Sequence, residues 1–186
     1  MDHPTQPADF SIGQKVLHWL IAVAIILDLF IAQKFGGAMT DADRFESRSD
    51  HASLGTLVAC LFAIRLYLRF KHGAPPLPID IPRVQARLAH LMHWALYVLI
   101  GLLILSGIGS AISANSIVSP FALFTYGNGV GNETVYRVLR TIHEFSTKAI
   151  IALIALHVFA ALYHLFSQHR DLTVRMLKFW KSETAV

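Results

Sequence analysis

Three stretches of this chain, roughly residues 16–33, 88–113 and 147–167, are apolar for about the length that a bilayer demands. The hydrocarbon core of a membrane is about 30 Å thick, and an α-helix crosses it in about 20 residues. A fourth stretch, about 52–70, is also apolar but carries Arg65 and Arg69 toward its end. Charged residues make up 15% of the sequence and hydrophobic ones 54%, where soluble proteins carry about 25% charged residues. Little polar sequence remains from which to build a soluble domain. The expectation is an all-α membrane protein, a single domain over residues 1–186. Its four transmembrane helices are placed at roughly 15–35, 51–70, 86–113 and 137–167.

The opening segment, MDHPTQPADFSIGQKVLHW, has neither a short positive region nor a small-residue cleavage site. The first apolar stretch is therefore read as a retained span. Lys and Arg then set the topology. With the N-terminus in the cytoplasm, Lys15, Arg65, Arg69, Lys71, Arg83, Arg87, Arg170, Arg175, Lys178 and Lys181 fall on the inner side. Lys34, Arg44, Arg48, Arg137 and Arg140 fall outside or at its margin. This imbalance predicts a multi-pass membrane protein with both termini cytoplasmic. The net charge of +4 is thereby explained by topology, so membrane lipid is the expected partner of the surface and nucleic acid is not.

The second loop, KHGAPPLPIDIP, is non-helical because of its prolines. The third, near ANSIVSPFALFTYGNGVGN, is apolar and irregular; it either folds down over a buried group or lies in the interface with its aromatics. The tail over 170–181 alternates apolar and basic residues at helical spacing, as an amphipathic segment on an anionic leaflet does. Cys60 is the one cysteine, which excludes a disulfide within the chain and a thiolate cluster; its mid-span position suggests a small core residue.

Ten histidines in so apolar a chain need a reason, because ionisable groups inside a membrane are rare and usually functional. His143 and His157 lie fourteen residues apart on the last helix. At about 100° per residue they share a face, and they are separated by about 21 Å along the axis. His51, at the start of the second helix, matches the outer depth of His143. His18, near the start of the first, matches the inner depth of His157. Two pairs, each drawn from two helices, suit macrocycles threaded through a bundle, with imidazole as the axial ligand of haem iron. A zinc ion would instead want three or four ligands in one small sphere.

Arg65 lies fourteen residues after His51, on the same inward face, and a haem propionate would balance its charge; a guanidinium reaching for the helix end is the alternative. Gly55, one turn beyond His51, and Gly101, Ser106, Gly107, Gly109 and Ser110 on the third helix permit close approach of a helix or a macrocycle. Asp28 is expected to pair with Lys148 at similar depth. His90, His93 and His164 gather at the inner end, where protonatable groups suit a quinone site. His3, His72 and His169 are read as solvent-facing.

With those residues in place, the chain resembles the bacterial cytochrome b561 family, most nearly its superoxide oxidase (superoxide:ubiquinone oxidoreductase) members. The likeness rests on LHW at 17–19, HASLG at 51–55, RLYLRFK followed by PP over 65–76, LAHLMH at 88–93, IHE at 142–144 and ALHVFAALYH at 155–164. These elements occur in family order and touch all four helices. The resemblance implies a four-helix bundle enclosing two haem b groups, with His18, His51, His143 and His157 as iron ligands. It also implies electron exchange with ubiquinone and, in the superoxide oxidase members, superoxide as periplasmic donor. The outer loops depart most from the family pattern. There the five basic residues are matched by Asp41, Asp43, Glu46, Asp50 and Glu133, so no excess positive charge is available to steer an anion. The alternative is a haem b electron-transfer subunit that serves a protein donor, such as a periplasmic or hydrogenase-type oxidoreductase.

Overall fold

The computed structural model describes residues 9–34, 40–77, 81–166 and 170–179. His3, His169 and the last two residues of the expected tail, Trp180 and Lys181, lie outside them. Helix α1 spans Ile12–Gln33. It starts at a reciprocal cap: the Ser11 hydroxyl accepts from the Gln14 backbone N–H at 3.2 Å, and the Ser11 N–H donates to the Gln14 side chain at 3.0 Å. Helix α2 spans Asp41–His72 and is capped by Thr40, with Asp41 and Asp43 in its first turn and Arg69, Lys71 and His72 in its last. Both charge sets complement the helix dipole. Helices α3, α4 and α5 span Arg83–Ser113, Glu133–Phe166 and Arg170–Leu177.

All four long helices are long and apolar enough to cross a membrane, as the sequence predicts. One boundary differs in a way that matters. α2 begins at Asp41 rather than at His51, because a capped, charged segment extends the helix beyond its apolar part. His51 therefore sits well inside a helix and inherits its rigidity.

α1 packs along α2 and α3 along α4, giving two hairpins that meet chiefly through α2 and α3. The α3–α4 seam is made by small residues: Ser106, Ser110 and Ser146 are buried there, so the backbones approach closely. Ser106 and Ser110 satisfy their hydroxyls on carbonyls one turn back, Leu102 and Ser106, at 2.6 and 2.7 Å. Val58 and Phe62, four residues apart, form the buried face of α2. Cys60 is two residues from each and so turns to the opposite side, where it is exposed. The expectation of a core cysteine is corrected on that ground. Large apolar side chains such as Phe30, Leu105 and Phe159 also face outward, which lipid explains and water does not.

The third loop keeps Phe121, Leu123 and Phe124 facing outward, while its backbone is tied to the bundle. The segment between α3 and α4 folds back on α2: the Ser119 and Phe121 amides donate to the Ser49 and Ser53 hydroxyls at 3.3 and 2.7 Å. Pro120 is fully buried, and the Tyr126 hydroxyl meets that of Thr56 at 3.0 Å. At the other end, α5 is tied to the bundle. The Trp19 indole donates to the Met176 carbonyl at 3.0 Å, the Lys15 ammonium to that of Lys178 at 2.7 Å, and Arg175 to that of Pro76 at 2.9 Å.

Gly131 presses its backbone against the Ser113 and Ala114 carbonyls, where a Cβ has no room. Gly131→Val is expected to unseat this loop at about 1–3 kcal/mol. The check is a lowered thermal midpoint in detergent.

Candidate functional site

The histidines occupy two levels of the bundle. At the level remote from the N-terminus, His51 of α2 faces His143 of α4 with ring centres 6.0 Å apart and planes at 82°. The His51 Nδ1 lies 2.8 Å from the Asp28 carboxylate of α1. The His143 Nδ1 lies 3.1 Å from the Leu103 carbonyl and 3.3 Å from the Ser106 hydroxyl of α3. A carboxylate and a carbonyl only accept, so each Nδ1 carries a hydrogen. An acceptor at Nδ1 fixes the orientation of the ring, as it does in histidines that ligate a metal.

Neighbouring small residues shape this level. A Cβ on Gly107 would stand 3.0 Å from Cε1 and 3.2 Å from Nδ1 of His143, so any larger residue crowds the imidazole and requires it to give way. On the other helix, a Cβ on Gly55 would meet nothing within 4 Å, which leaves open space beside His51. The expected Asp28–Lys148 pair gives way to Asp28–His51. α1 packs directly on α2, while Lys148 sits on α4 with its side chain exposed.

At the level nearer the N-terminus, His18 of α1 and His157 of α4 have ring centres 6.3 Å apart and planes at 76°. His93 of α3 joins them, 5.6 Å from His157, with its Nδ1 bonded to the Ala89 carbonyl at 2.7 Å. The Arg65 guanidinium donates to the Gln14 carbonyl at 2.7 Å, one turn before His18. The three inner histidines do not form one cluster. His90 is exposed beside Trp94, with ring centres 6.3 Å apart, in a shallow groove with Ala86, Arg87 and Leu91. His164 stands edge-on to Tyr163 at 5.5 Å.

Among the described residues, no three or more His, Cys, Asp or Glu side chains converge as a bare metal ion would require. Two imidazoles on opposite sides of one metal are a different matter. With each nitrogen about 2 Å from the metal, the ring centres stand roughly 6.3 Å apart. Both pairs match that spacing, and the His93–His157 distance is shorter than it. The residues therefore fit a macrocycle whose iron takes one imidazole on each face.

The face remote from the N-terminus is less distinctive. Arg137 pairs with Glu133 at 3.5 Å and Arg140 with Glu144 at 2.7 Å along α4, and Arg48 donates to the Ser116 hydroxyl at 3.0 Å. Sequence reasoning missed Asp28 as the partner of His51 and Gly107 as the seat of His143. An acidic residue in mid-span was the available signal for the first; the second depends on how α3 meets α4.

A membrane bundle that brings imidazoles from different helices together at two levels has the architecture of a b-type membrane cytochrome. The sequence comparison agrees: residues 9–179 match the prokaryotic cytochrome b561 family, and the chain belongs to it. It is thus a membrane electron-transfer protein of a haem b-binding family. Its relatives include "Cytochrome b561 homolog 1" of Escherichia coli (strain K12), 26% identical over 176 residues, which are 90% of this chain and 96% of that protein. "Probable superoxide oxidase CybB" of Yersinia pestis is 26% identical over 175 residues, 90% of this chain and 95% of that protein.

Gly107→Val places methyl groups where the His143 ring stands. The expected outcome is a lower haem b content per chain than in wild type, read by the pyridine haemochrome assay, with the helical signal in circular dichroism unchanged.

Proposed function

We propose that this chain is a di-haem b membrane cytochrome that carries electrons between a periplasmic donor, superoxide, and ubiquinone at the cytoplasmic side. The observation that carries the reading is the pair of facing imidazole sets, 6.0 Å and 6.3 Å between ring centres, at two depths of one bundle. Haem b, when bound, supplies a one-electron redox couple at each set. His51 with His143, and His18 with His157, would hold the two groups, and an imidazole on each side would leave the donor to exchange electrons without binding iron.

The remaining residues orient and exclude. Gly107 seats His143, the folded-back third loop covers α2 near His51, and Arg65, bonded to the Gln14 carbonyl, would hold a propionate at the inner set. His93 lies beside the inner set and can give and take a proton where ubiquinone reduction consumes them; His90 and His164 stand farther out as secondary candidates for that site. The positive-inside imbalance supports cytoplasmic termini and an inner-membrane location. Superoxide as donor is supported by the family resemblance and by the name of the Yersinia relative.

A second reading is an electron-transfer subunit for a protein donor. It is favoured by the pairing of Arg137 and Arg140 with Glu133 and Glu144, which leaves these two arginines little attraction for a small anion.

Two measurements test these readings. The absorption spectrum and haemochrome assay are expected to show two low-spin haems per chain, and His51→Ala or His157→Ala one fewer. A wild-type chain holding a single haem would refute the di-haem reading. Stopped-flow mixing with superoxide is expected to reduce the haem faster than superoxide dismutates by itself. Reduction no faster than dismutation would exclude superoxide and leave the protein donor.

A further inference from the structure

Asp28 lies within the first membrane span, and only 15% of its side chain is accessible. An ionised carboxylate at that depth is costly, and a chain retains one where it has work to do. Its partner is the Nδ1 of His51 at 2.8 Å, reached across the α1–α2 seam. The two imidazole sets therefore differ in their surroundings. His51 is backed by a negative charge, and His143 by the neutral Leu103 carbonyl and Ser106 hydroxyl. At the inner set the Arg65 guanidinium is bonded to the Gln14 carbonyl at 2.7 Å, one turn before His18 on α1.

Charge near a redox centre selects between its oxidation states. A carboxylate hydrogen-bonded to a ligating imidazole raises the basicity of that ligand and fixes its ring. It also adds a negative charge close to the centre, where the low dielectric of the bundle preserves its effect. Both actions favour the ferric state, which carries one positive charge more than the ferrous. A guanidinium beside the other set favours the ferrous state.

We propose that Asp28 is a positioning residue that lowers the midpoint potential of the outer haem relative to the inner one, so that electron transfer inward is downhill. The couple concerned is ferric to ferrous, one electron, with no bond made or broken. The inference rests on the ligand reading above, and adds to it an internal direction set by two opposite charges at two depths.

The test is a spectroelectrochemical titration of the purified, haem-loaded protein, resolving the two haems. Asp28→Asn keeps the shape and removes the charge. It is expected to raise the outer midpoint by at least a tenfold change in the ferrous-to-ferric ratio, about 59 mV for one electron, and to leave the inner midpoint in place. Asp28→Ser should give the same rise, while Asp28→Glu, which keeps the charge, should stay within about threefold of wild type on that scale. An outer midpoint unmoved in Asp28→Asn with both haems still low-spin overturns the proposal, as does an equal shift of both haems. Loss of the outer haem from both uncharged variants also overturns it, since Asp28 would then hold the ligand without tuning it. Failure of the underlying reading shows separately, as retention of both low-spin haems in His51→Ala.

Discussion

Imidazole rings carried by α4 reach across the bundle, to His51 on α2 at one level and to His18 on α1 at the other. The hairpins α1–α2 and α3–α4 pack tightly within themselves and meet each other chiefly through α2 and α3. The facing rings thus span the part of the bundle where backbones do not close on one another. A membrane makes this arrangement workable. Lipid does not drive apolar helix faces together as water does, so a bundle can hold its helices apart around a cofactor and leave the cohesion to seams of small residues. Ser106, Ser110 and Ser146 supply such a seam.

Within that frame several buried charged groups have partners that fit their depth. Lys15, only 3% exposed, binds Asp9 and the end of α5. Arg65 reaches a carbonyl of α1, and Asp28 reaches His51. An unpaired charge in hydrocarbon costs about 2.5–3.5 kcal/mol at mid-span by insertion scales, so these contacts decide which helix faces inward. The same contacts distribute charge unequally between the levels, negative at the level of His51 and positive at the level of His18. Opposite charges on two otherwise similar imidazole pairs distinguish sites that the sequence presents as near equivalents.

The ends of the bundle are closed by different means. The loop after α3 is pinned to α2 by its own amides on Ser49 and Ser53, with Phe121 and Ala122 held at positive φ of 54° and 55°. That conformation is uncommon for residues with a Cβ, and the buried Pro120 and the bonds to α2 hold it in place. The opposite end is closed by α5, whose ties run to α1, to α4 and to the loop before α3. Both closures use backbone groups as partners, so few side-chain patterns announce them.

The family and the four-helix class were legible because hydrophobic run length and the fourteen-residue histidine step are properties of a single helix. Turn angle and rise convert residue number directly into face and depth. From that arithmetic came the common face of His143 and His157 and the depths of His18 and His51. Whatever depends on the rotation of one helix against another was not legible. The choice of His51 over Lys148 by Asp28, the outward turn of Cys60, the entry of His93 beside His157 while His90 faces away, and the room that Gly107 leaves for His143 are all of this kind. Depth and face within a helix follow from the sequence by itself; which faces meet was decided only when four helices packed, because seam geometry and paired charges fix the azimuth of each.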